Sequence, residues 1–364
     1  MEIPKMKIAI DISQIVYETG VSVYTQNLVK NLFAIDTKNE YILFGGSLRK
    51  LKYLKKFTQS LKGNFKAKIF PIPPTAANLI FNKLRFPTIE SFVGKIDVFH
   101  SSDWTQPQSK AFKVTTIHDL APILFKNETH PKTIDAHTRR LEWVKKEVDR
   151  IIVPSNSINK DLMKLNVDKD KVRVIPEAAD EIFKPQSEDK IINLRNKYNI
   201  KKDYLLCIGV GGRKNTQRVI EAFNKCNTNN NLEIVLIGKN LEFKNQKDTI
   251  FTGHVPKAEL PIFYSGAQAL LYPSLYEGFG LPILEAFVCH CPVVTSNLGS
   301  MKEVAGTGAV LVEPKNVDSI TDGVLKILKN RNSYISKGAK QAKNFSWQKT
   351  AALTLKVYQE GKIE

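Results

Sequence analysis

The sequence predicts an α/β protein made of two doubly wound parallel sheets. Short apolar runs alternate with amphipathic stretches along all 364 residues. The runs are continuously apolar rather than alternating, as strands covered on both faces of a parallel sheet must be. The alternation halts once, at Glu177–Lys202, where Pro176, Pro185 and the polar stretch Gln186-Ser187-Glu188-Asp189-Lys190 separate two series of runs. At roughly 150 residues per domain the length itself asks for about two domains.

In the first series the strand-like runs are Lys7–Ile12, Tyr41–Phe44, Lys68–Ile72, Asp97–His100, Val114–Ile117, Arg150–Val153 and Val172–Ile175. Amphipathic helices are expected over Val21–Phe33, Lys132–Val148 and Asn156–Leu165. In the second series the runs are Tyr204–Ile208, Glu233–Ile237, Thr249–Thr252, Ala269–Tyr272, Pro292–Thr295 and Ala309–Val312, with helices over Thr216–Phe223, Ala258–Tyr264, Pro282–Val288 and Val317–Leu328. Repeated βα units give right-handed crossovers and doubly wound sheets. Three segments are expected: a domain over 1–182, a domain over 183–345, and a terminal piece over 346–364. Ligands of such sheets bind beyond the carboxyl ends of the strands, and two such domains place the default site in the cleft between them.

Apolar residues make up 42% and charged residues 25%, which excludes a disordered or collagen-like chain. No apolar run approaches the roughly 20 residues that span a bilayer, and Met1-Glu2-Ile3-Pro4-Lys5 has no long apolar core of the kind a leader carries. Cys207, Cys226, Cys289 and Cys291 form no C-x-x-C pair, and reduced thiols of a cytoplasmic protein are expected. Cys289-His290-Cys291 lacks a second ligand pair at zinc spacing. The formal charge is +18, which asks for an anionic partner. That charge is concentrated. Arg49, Lys50, Lys52, Lys55, Lys56, Lys62, Lys66 and Lys68 contribute +8 within residues 47–68, where no acidic residue occurs. A general nucleic-acid coat is disfavoured by that clustering. Leu48, Leu51, Leu54, Phe57 and Leu61 follow helical spacing there. The segment therefore reads either as a cationic amphipathic helix for an anionic membrane surface or as a solvated helix with its leucines in the core.

The chemistry-bearing residues follow the strands. After Ala269–Tyr272 comes Pro273-Ser274-Leu275-Tyr276-Glu277-Gly278-Phe279-Gly280-Leu281-Pro282-Ile283-Leu284-Glu285. Gly278 and Gly280 let a backbone approach a ligand, and the helix expected to begin at Pro282 offers free N–H groups and a dipole to a phosphate. Glu285 lies in an apolar helix and needs hydroxyls or a cation as partner, because a lone buried carboxylate costs several kcal/mol, roughly. After Tyr204–Ile208, the stretch Gly209-Val210-Gly211-Gly212-Arg213-Lys214-Asn215 sets two cations at a helix start, a diphosphate-holding arrangement if it is more than a solvated pair. His118-Asp119 ends the strand Val114–Ile117, with His118 a hydrogen-bond donor or acid/base, or only a strand-end histidine before a capping aspartate. Glu18-Thr19-Gly20-Val21-Ser22 follows the first strand, with Gly20 expected to permit a tight turn, and Asp11 lies in that strand.

These residues together resemble the retaining glycosyltransferases of family 4, which have the GT-B fold of two facing Rossmann-like domains. The likeness runs through Gly20, His118-Asp119, Val153-Pro154-Ser155, Ile175-Pro176-Glu177-Ala178-Ala179-Asp180, Arg213-Lys214-Asn215, Gly253-His254-Val255 and the Glu277–Glu285 pair, which matches the family's Glu-x₇-Glu signature. The resemblance implies that 1–182 binds the acceptor, 183–345 binds the nucleotide sugar, and Trp347–Gln359 crosses back to the first domain. It implies that Arg213 and Lys214 grip the donor diphosphate, Glu277 bonds the donor sugar and Glu285 accepts both ribose hydroxyls. Gly278, Phe279, Gly280 and Leu281 would line sugar and phosphate by their backbone, His118 would face the transferred sugar, and His254 and Val255 would border the base. Gly20 is the family's first-loop glycine.

The chain departs from the pattern at three places. Thr19 stands before Gly20 where a second glycine is common. The Gly209–Arg213 loop is about one residue short, so Arg213 or Lys214 leads on the phosphate. His290 replaces a usual glycine, with an effect on packing expected.

The implied reaction moves a hexose from a nucleoside-diphosphate sugar to a glycan or lipid-linked acceptor with retention, as in assembly of bacterial polysaccharide or lipopolysaccharide, with GDP-mannose favoured over a UDP-sugar. No cofactor and no metal are expected, since no Asp-x-Asp stands beside the motif and two cations supply the positive field. A GT-B nucleotide-sugar epimerase and a basic nucleic-acid-binding protein are the alternatives; no nucleic-acid partner is expected.

Overall fold

The computed structural model describes residues 4–17, 19–238 and 246–362. Met1–Ile3, part of the start read for a leader, and Glu18 of the first glycine loop lie outside the described residues.

Contacts divide the chain into two units, Met1–Glu177 with Ser346–Glu364, and Ala178–Phe345. The first holds a seven-stranded sheet of β1 (Lys7–Asp11), β2 (Glu40–Gly46), β3 (Phe65–Phe70), β4 (Val98–Ser101), β5 (Phe112–Thr116), β6 (Arg150–Val153) and β7 (Val172–Val174). Their order is β3-β2-β1-β4-β5-β6-β7, and every pairing is parallel. The second holds β8 (Asp203–Ile208), β9 (Leu232–Ile237), β10 (Thr249–Gly253), β11 (Ala269–Tyr272), β12 (Val293–Ser296) and β13 (Val310–Val312), in the order β10-β9-β8-β11-β12-β13, again all parallel. The α/β, doubly wound architecture expected from the apolar runs is the one observed.

The inner strands of each sheet are covered on both faces, which is why they are largely apolar. In the second unit one layer sets Val219, Phe223, Ile320, Val324 and Ile327 of helices Thr216–Cys226 and Val317–Lys329 against Leu205, Ile234 and Leu271. The other layer sets Ile283, Leu284 and Phe287 of helix Leu281–Val288 against Leu206, Leu270 and Val293. A fully buried side chain of this kind contributes roughly 1.5–3 kcal/mol. In the first unit Phe44, Phe81 and Phe99 share a core with Ala9 and Ile42.

Four expectations are corrected. The break between the units falls after Glu177 rather than after residue 182, because Phe183 is buried in the second unit's core and Asp180 pairs with Lys257 at 2.9 Å. The polar stretch read as a linker contains a helix, Glu188–Lys197, whose Ile191 and Leu194 are buried; only these two and the exposed Ile192 are apolar there, and the charged residues around them hid it. The run Lys68–Ile72 belongs to a strand that starts earlier, at Phe65. As a result the basic segment 47–68 is no single helix: it is helix Leu51–Gln59 followed by the edge strand β3, which carries Lys66 and Lys68. Gly20 is the first residue of helix Gly20–Ile35, not a turn glycine. The Thr19 N–H donates to Ser22 Oγ at 3.2 Å there, as at an ordinary helix start.

Candidate active site

In the second sheet the strand order reverses at β8, whose neighbours are β9 and β11. The loops leaving β8 and β11 therefore part to opposite sides of a crevice at the carboxyl edge, where ligands of open α/β sheets bind. The two loops are tied together: the Leu275 N–H donates to the Arg213 carbonyl at 2.9 Å. Asn215, in a left-handed conformation (φ 62°) before helix Thr216–Cys226, donates its amide to the carbonyls of Pro273 (3.0 Å) and Pro314 (2.6 Å). This bracing makes one charged cluster. Arg213 Nη1 donates to Glu277 Oε2 (3.2 Å) and to the Tyr276 carbonyl (2.6 Å). Lys214 Nζ donates to Glu277 Oε1 (2.6 Å) and to the Tyr272 hydroxyl (2.9 Å). Burial alone would raise the Glu277 carboxyl, but Lys214 and Arg213 reverse it and hold the group below its ordinary value. Gly209 (φ 82°) is required by this packing, since a Cβ there would lie 3.0 Å from the Lys214 side chain.

The glycine loop ends at Gly280, whose φ of 108° only glycine takes easily, and helix Leu281–Val288 follows. The helix starts at Leu281, one residue before the expected Pro282, which takes the second position. Glu285 lies one turn in, and its Oε2 accepts from the Tyr264 hydroxyl at 2.8 Å. Burial raises its carboxyl to about 7, against the lowering effects of Tyr264 and Lys257. The expected hydroxyl partner thus exists within the chain. His254 is exposed, and Val255, just after β10, is buried in the core.

The first sheet reverses at β1, between β2 and β4. There the Asp103 N–H donates to Gln14 Oε1 at 2.7 Å, joining the loops after β4 and β1. A pocket opens at this edge, lined by Asp11, Tyr17, Phe44, Phe81 and Trp104 among others. Burial raises the Asp11 carboxyl, and its Oδ1 accepts from the Ser13 N–H at 2.8 Å. His118 lies beyond β5, nine-tenths buried, with Nδ1 2.9 Å from Glu177 Oε1 and the Tyr24 ring edge-on at 4.5 Å. Asp119 accepts from the Ala121 N–H, the capping role open to it from the start.

Two sequence profiles divide the chain between them: Glycosyltransferase Family 4 matches residues 19–181 and Glycosyl transferases group 1 matches residues 190–345. This chain is a family 4 glycosyltransferase. The glycosyltransferase is 27% identical to the O-antigen chain mannosyltransferase B of Escherichia coli over 93% of this chain and 96% of that protein. It is also 27% identical to the serotype-specific mannosyltransferase of Escherichia coli, matching 66% of this chain but about a third (32%) of that longer protein. Among solved structures, Anabaena HepE in complex with UDP and glucose superposes with a TM-score of 0.71 at 14% identity, covering 97% of this chain and 99% of that one. This supports the GT-B fold. Neither the epimerase nor the nucleic-acid-binding alternative is favoured, since both profiles describe glycosyl transfer.

Within the glycosyltransferase, Arg213, Lys214, Glu277 and the Gly278–Leu281 loop share one braced edge, with Glu285 on the helix that follows. His118 belongs to the other unit, and Gly20 is a helix residue whose φ is not positive. Sequence reasoning passed over Tyr264 and Tyr272, which hold the two glutamates, and gave Asn215 and Glu177 no role beyond their motifs. Tyr272 was findable as the last residue of a strand leading into the motif; Tyr264, 21 residues from Glu285, carried no local signal. Among the described residues no three His, Cys, Asp or Glu are grouped to hold a metal ion. All four cysteines are free thiols, and burial pushes Cys291 up to about 12.

Proposed function

We propose that this glycosyltransferase moves a mannosyl group from GDP-mannose to a glycan or lipid-linked glycan acceptor, with retention of configuration. The observation that carries the donor half is the Arg213–Glu277–Lys214 cluster on the braced loops of β8 and β11. A diphosphate entering there meets two cations and the N–H groups that open helix Leu281–Val288. Glu277 keeps both cations in place until the donor arrives, then bonds the sugar hydroxyls while the phosphates take over the cations. Glu285 takes the ribose hydroxyls, with Tyr264 steadying it. As the glycosidic bond breaks, negative charge grows on the diphosphate, where Arg213, Lys214 and the helix start stabilise it. The departing phosphate oxygen takes the acceptor's proton on the face the donor leaves. Fixed cations do this work, so no metal is required.

Mannose is supported by the two similar mannosyltransferases, and a glycan acceptor by the O-antigen chain named in one of them; GDP as the nucleotide rests on the family resemblance. The apolar pocket beside Asp11, Tyr17 and Trp104 is our choice for the acceptor, and His118 faces the transferred sugar. The HepE complex keeps a UDP-sugar as the second reading. Free buried thiols fit a reducing, cytoplasmic setting. Among the described residues no helix is long and apolar enough to cross a membrane, and the exposed lysines of helix Leu51–Gln59 suit peripheral attachment to an anionic leaflet.

A thermal-shift panel of GDP, UDP and ADP tests the donor, because a ligand stabilises the state it binds. GDP is expected to raise Tm most, and GDP release from GDP-mannose is expected to persist in EDTA. Stabilisation by UDP alone would remove GDP-mannose from the reading; loss of turnover in EDTA, restored by a divalent cation, would remove the metal-free mechanism.

A further inference from the structure

β5 and β7 flank β6, and all three run parallel, so the residues just past β5 and β7 meet at the same edge of the sheet. His118 and Glu177 are those residues. Glu177 is held from several sides. The Ile175 N–H donates to the Val153 carbonyl at 2.8 Å, continuing the ladder past β7. Thr350 of the terminal helix Trp347–Glu360 donates to the Pro176 carbonyl at 2.7 Å. The Glu177 side chain is 5% exposed and its Oε1 lies 2.9 Å from His118 Nδ1. The imidazole is held as firmly, with Tyr24 edge-on at 4.5 Å and that ring in turn against Trp347 at 5.8 Å.

A buried carboxylate set on one ring nitrogen decides what the other can do. It makes Nδ1 the protonated nitrogen, so Nε2 is the atom free to bond outward. Nε2 is buried and hydrogen-bonds to none of the described residues. An orphaned buried polar atom is costly to keep, and its retention beside a fully engaged Nδ1 marks Nε2 as the working end. A histidine serving only packing would have both nitrogens engaged, as His100 has on the next strand but one from β6: its Nδ1 meets the Tyr358 hydroxyl at 2.7 Å and its Nε2 meets Thr116 at 2.9 Å.

We propose that Glu177 is the positioning residue of the transfer reaction: it clamps Nδ1–H of His118 so that Nε2 presents a hydrogen bond to the sugar being transferred. This rests on the reading that His118 faces that sugar. The groups around the imidazole are Glu177, Asp119, Asp103 on the loop after β4, His100 on β4, and the Tyr24 hydroxyl on helix Gly20–Ile35. Burial lowers the His118 value, but Glu177 chiefly, with Asp103 and Asp119, overcomes it and sets it above the ordinary one. Nε2 therefore donates at low pH and loses its proton as pH rises through that raised value.

The test compares wild type, E177Q and H118A as full chains. Two-dimensional NMR of ¹⁵N-histidine protein follows His118, with H118A assigning its signal; GDP release from GDP-mannose gives kcat and KM across pH. In E177Q the His118 titration is expected to move to lower pH. The alkaline fall of kcat should move with it, and kcat should drop about 10-fold or more with little change in the donor KM. H118A should lose activity comparably and lose that limb. Full activity in H118A would overturn the reading of His118 itself. Loss of activity in H118A beside an unmoved titration and pH limb in E177Q would overturn the role of Glu177 alone. If E177Q unfolds, E177D keeps the carboxylate and is expected to retain the wild-type pH limb; a limb lost as in H118A would overturn the proposal.

Discussion

Glu285 joins chemistry to stability through one proton. Burial lifts its carboxyl from an ordinary 4.5 to about 7, with Tyr264 its hydroxyl partner. A carboxyl raised in the folded state takes stability away as pH rises from 4.5 to about 7, because folding then desolvates a charge that the unfolded chain keeps in water. Ribose hydroxyls donate best to the ionised form, so GDP binding is expected to tighten from pH 6 to pH 8 and to release a proton below pH 7. Calorimetry in two buffers of different ionisation enthalpy reads that proton directly. E285Q is expected to remove the pH dependence and weaken GDP binding. It should also make the unliganded protein more stable at pH 8, by about 1–3 kcal/mol. A variant that is weaker in both binding and stability would place Glu285 in the fold rather than the site. The same residue shows what was legible. Its apolar helix announced a carboxylate in need of a partner, but the partner, Tyr264, lies on another helix and had no spacing to betray it.

The helix that carries Glu285 is also strained at its far end. Its last turn closes with the His290 N–H on the Phe287 carbonyl (3.2 Å) and the Cys291 N–H on the Ala286 carbonyl (2.9 Å). That pair of bonds puts the residue after the cap in the left-handed region, and His290 sits there at φ 59°. The side chain is exposed, so the departure from the family's glycine is a matter of backbone conformation and not of packing as expected. H290G is expected to stabilise the protein by about 1 kcal/mol, a rise of roughly 2–4 °C in Tm for a unit of this size, with GDP release unchanged. A lower Tm would show that the imidazole makes up for its backbone. At this scale the sequence was legible wherever burial ran along a whole strand: each of the apolar runs is a strand, though the third is displaced towards its N-terminus. It was opaque where burial is thin. Helix Arg331–Ala342 buries only Tyr334, Gly338 and Ala342. Its apposition works because Gly338 has no side chain, since a Cβ there would lie 2.5 Å from Phe287. No hydrophobic period reports a contact made by a missing side chain.

Charge is the property that belongs to the whole molecule. Of the +18, +8 lies in residues 47–68, and the fold divides that segment. Leu54 and Phe57 of helix Leu51–Gln59 are buried in the first unit. The apolar face is therefore spent on the core, and insertion of this helix into a bilayer is excluded. Lys52, Lys55, Lys56 and Lys62 remain exposed, as do Arg49 and Lys50 before the helix. Lys66 pairs with Glu40 at 3.0 Å on the edge strand, where lysines also discourage strand-to-strand association. What is left for a membrane is a cationic face with one exposed apolar side chain, Leu48, beside it, and such a face binds chiefly by charge. Each lysine near an anionic surface contributes about 1 kcal/mol, within a Debye length of about 10 Å at 0.1 M salt. Co-sedimentation is therefore expected with vesicles containing phosphatidylglycerol and not with phosphatidylcholine vesicles, and it should vanish at about 0.5 M NaCl as screening tightens. Changing Lys50, Lys52, Lys55 and Lys56 to Glu should abolish it while GDP still raises Tm. Binding that survives either the salt or the four substitutions would mean that another surface holds the membrane, and the basic helix would then be a solvated face of the first unit.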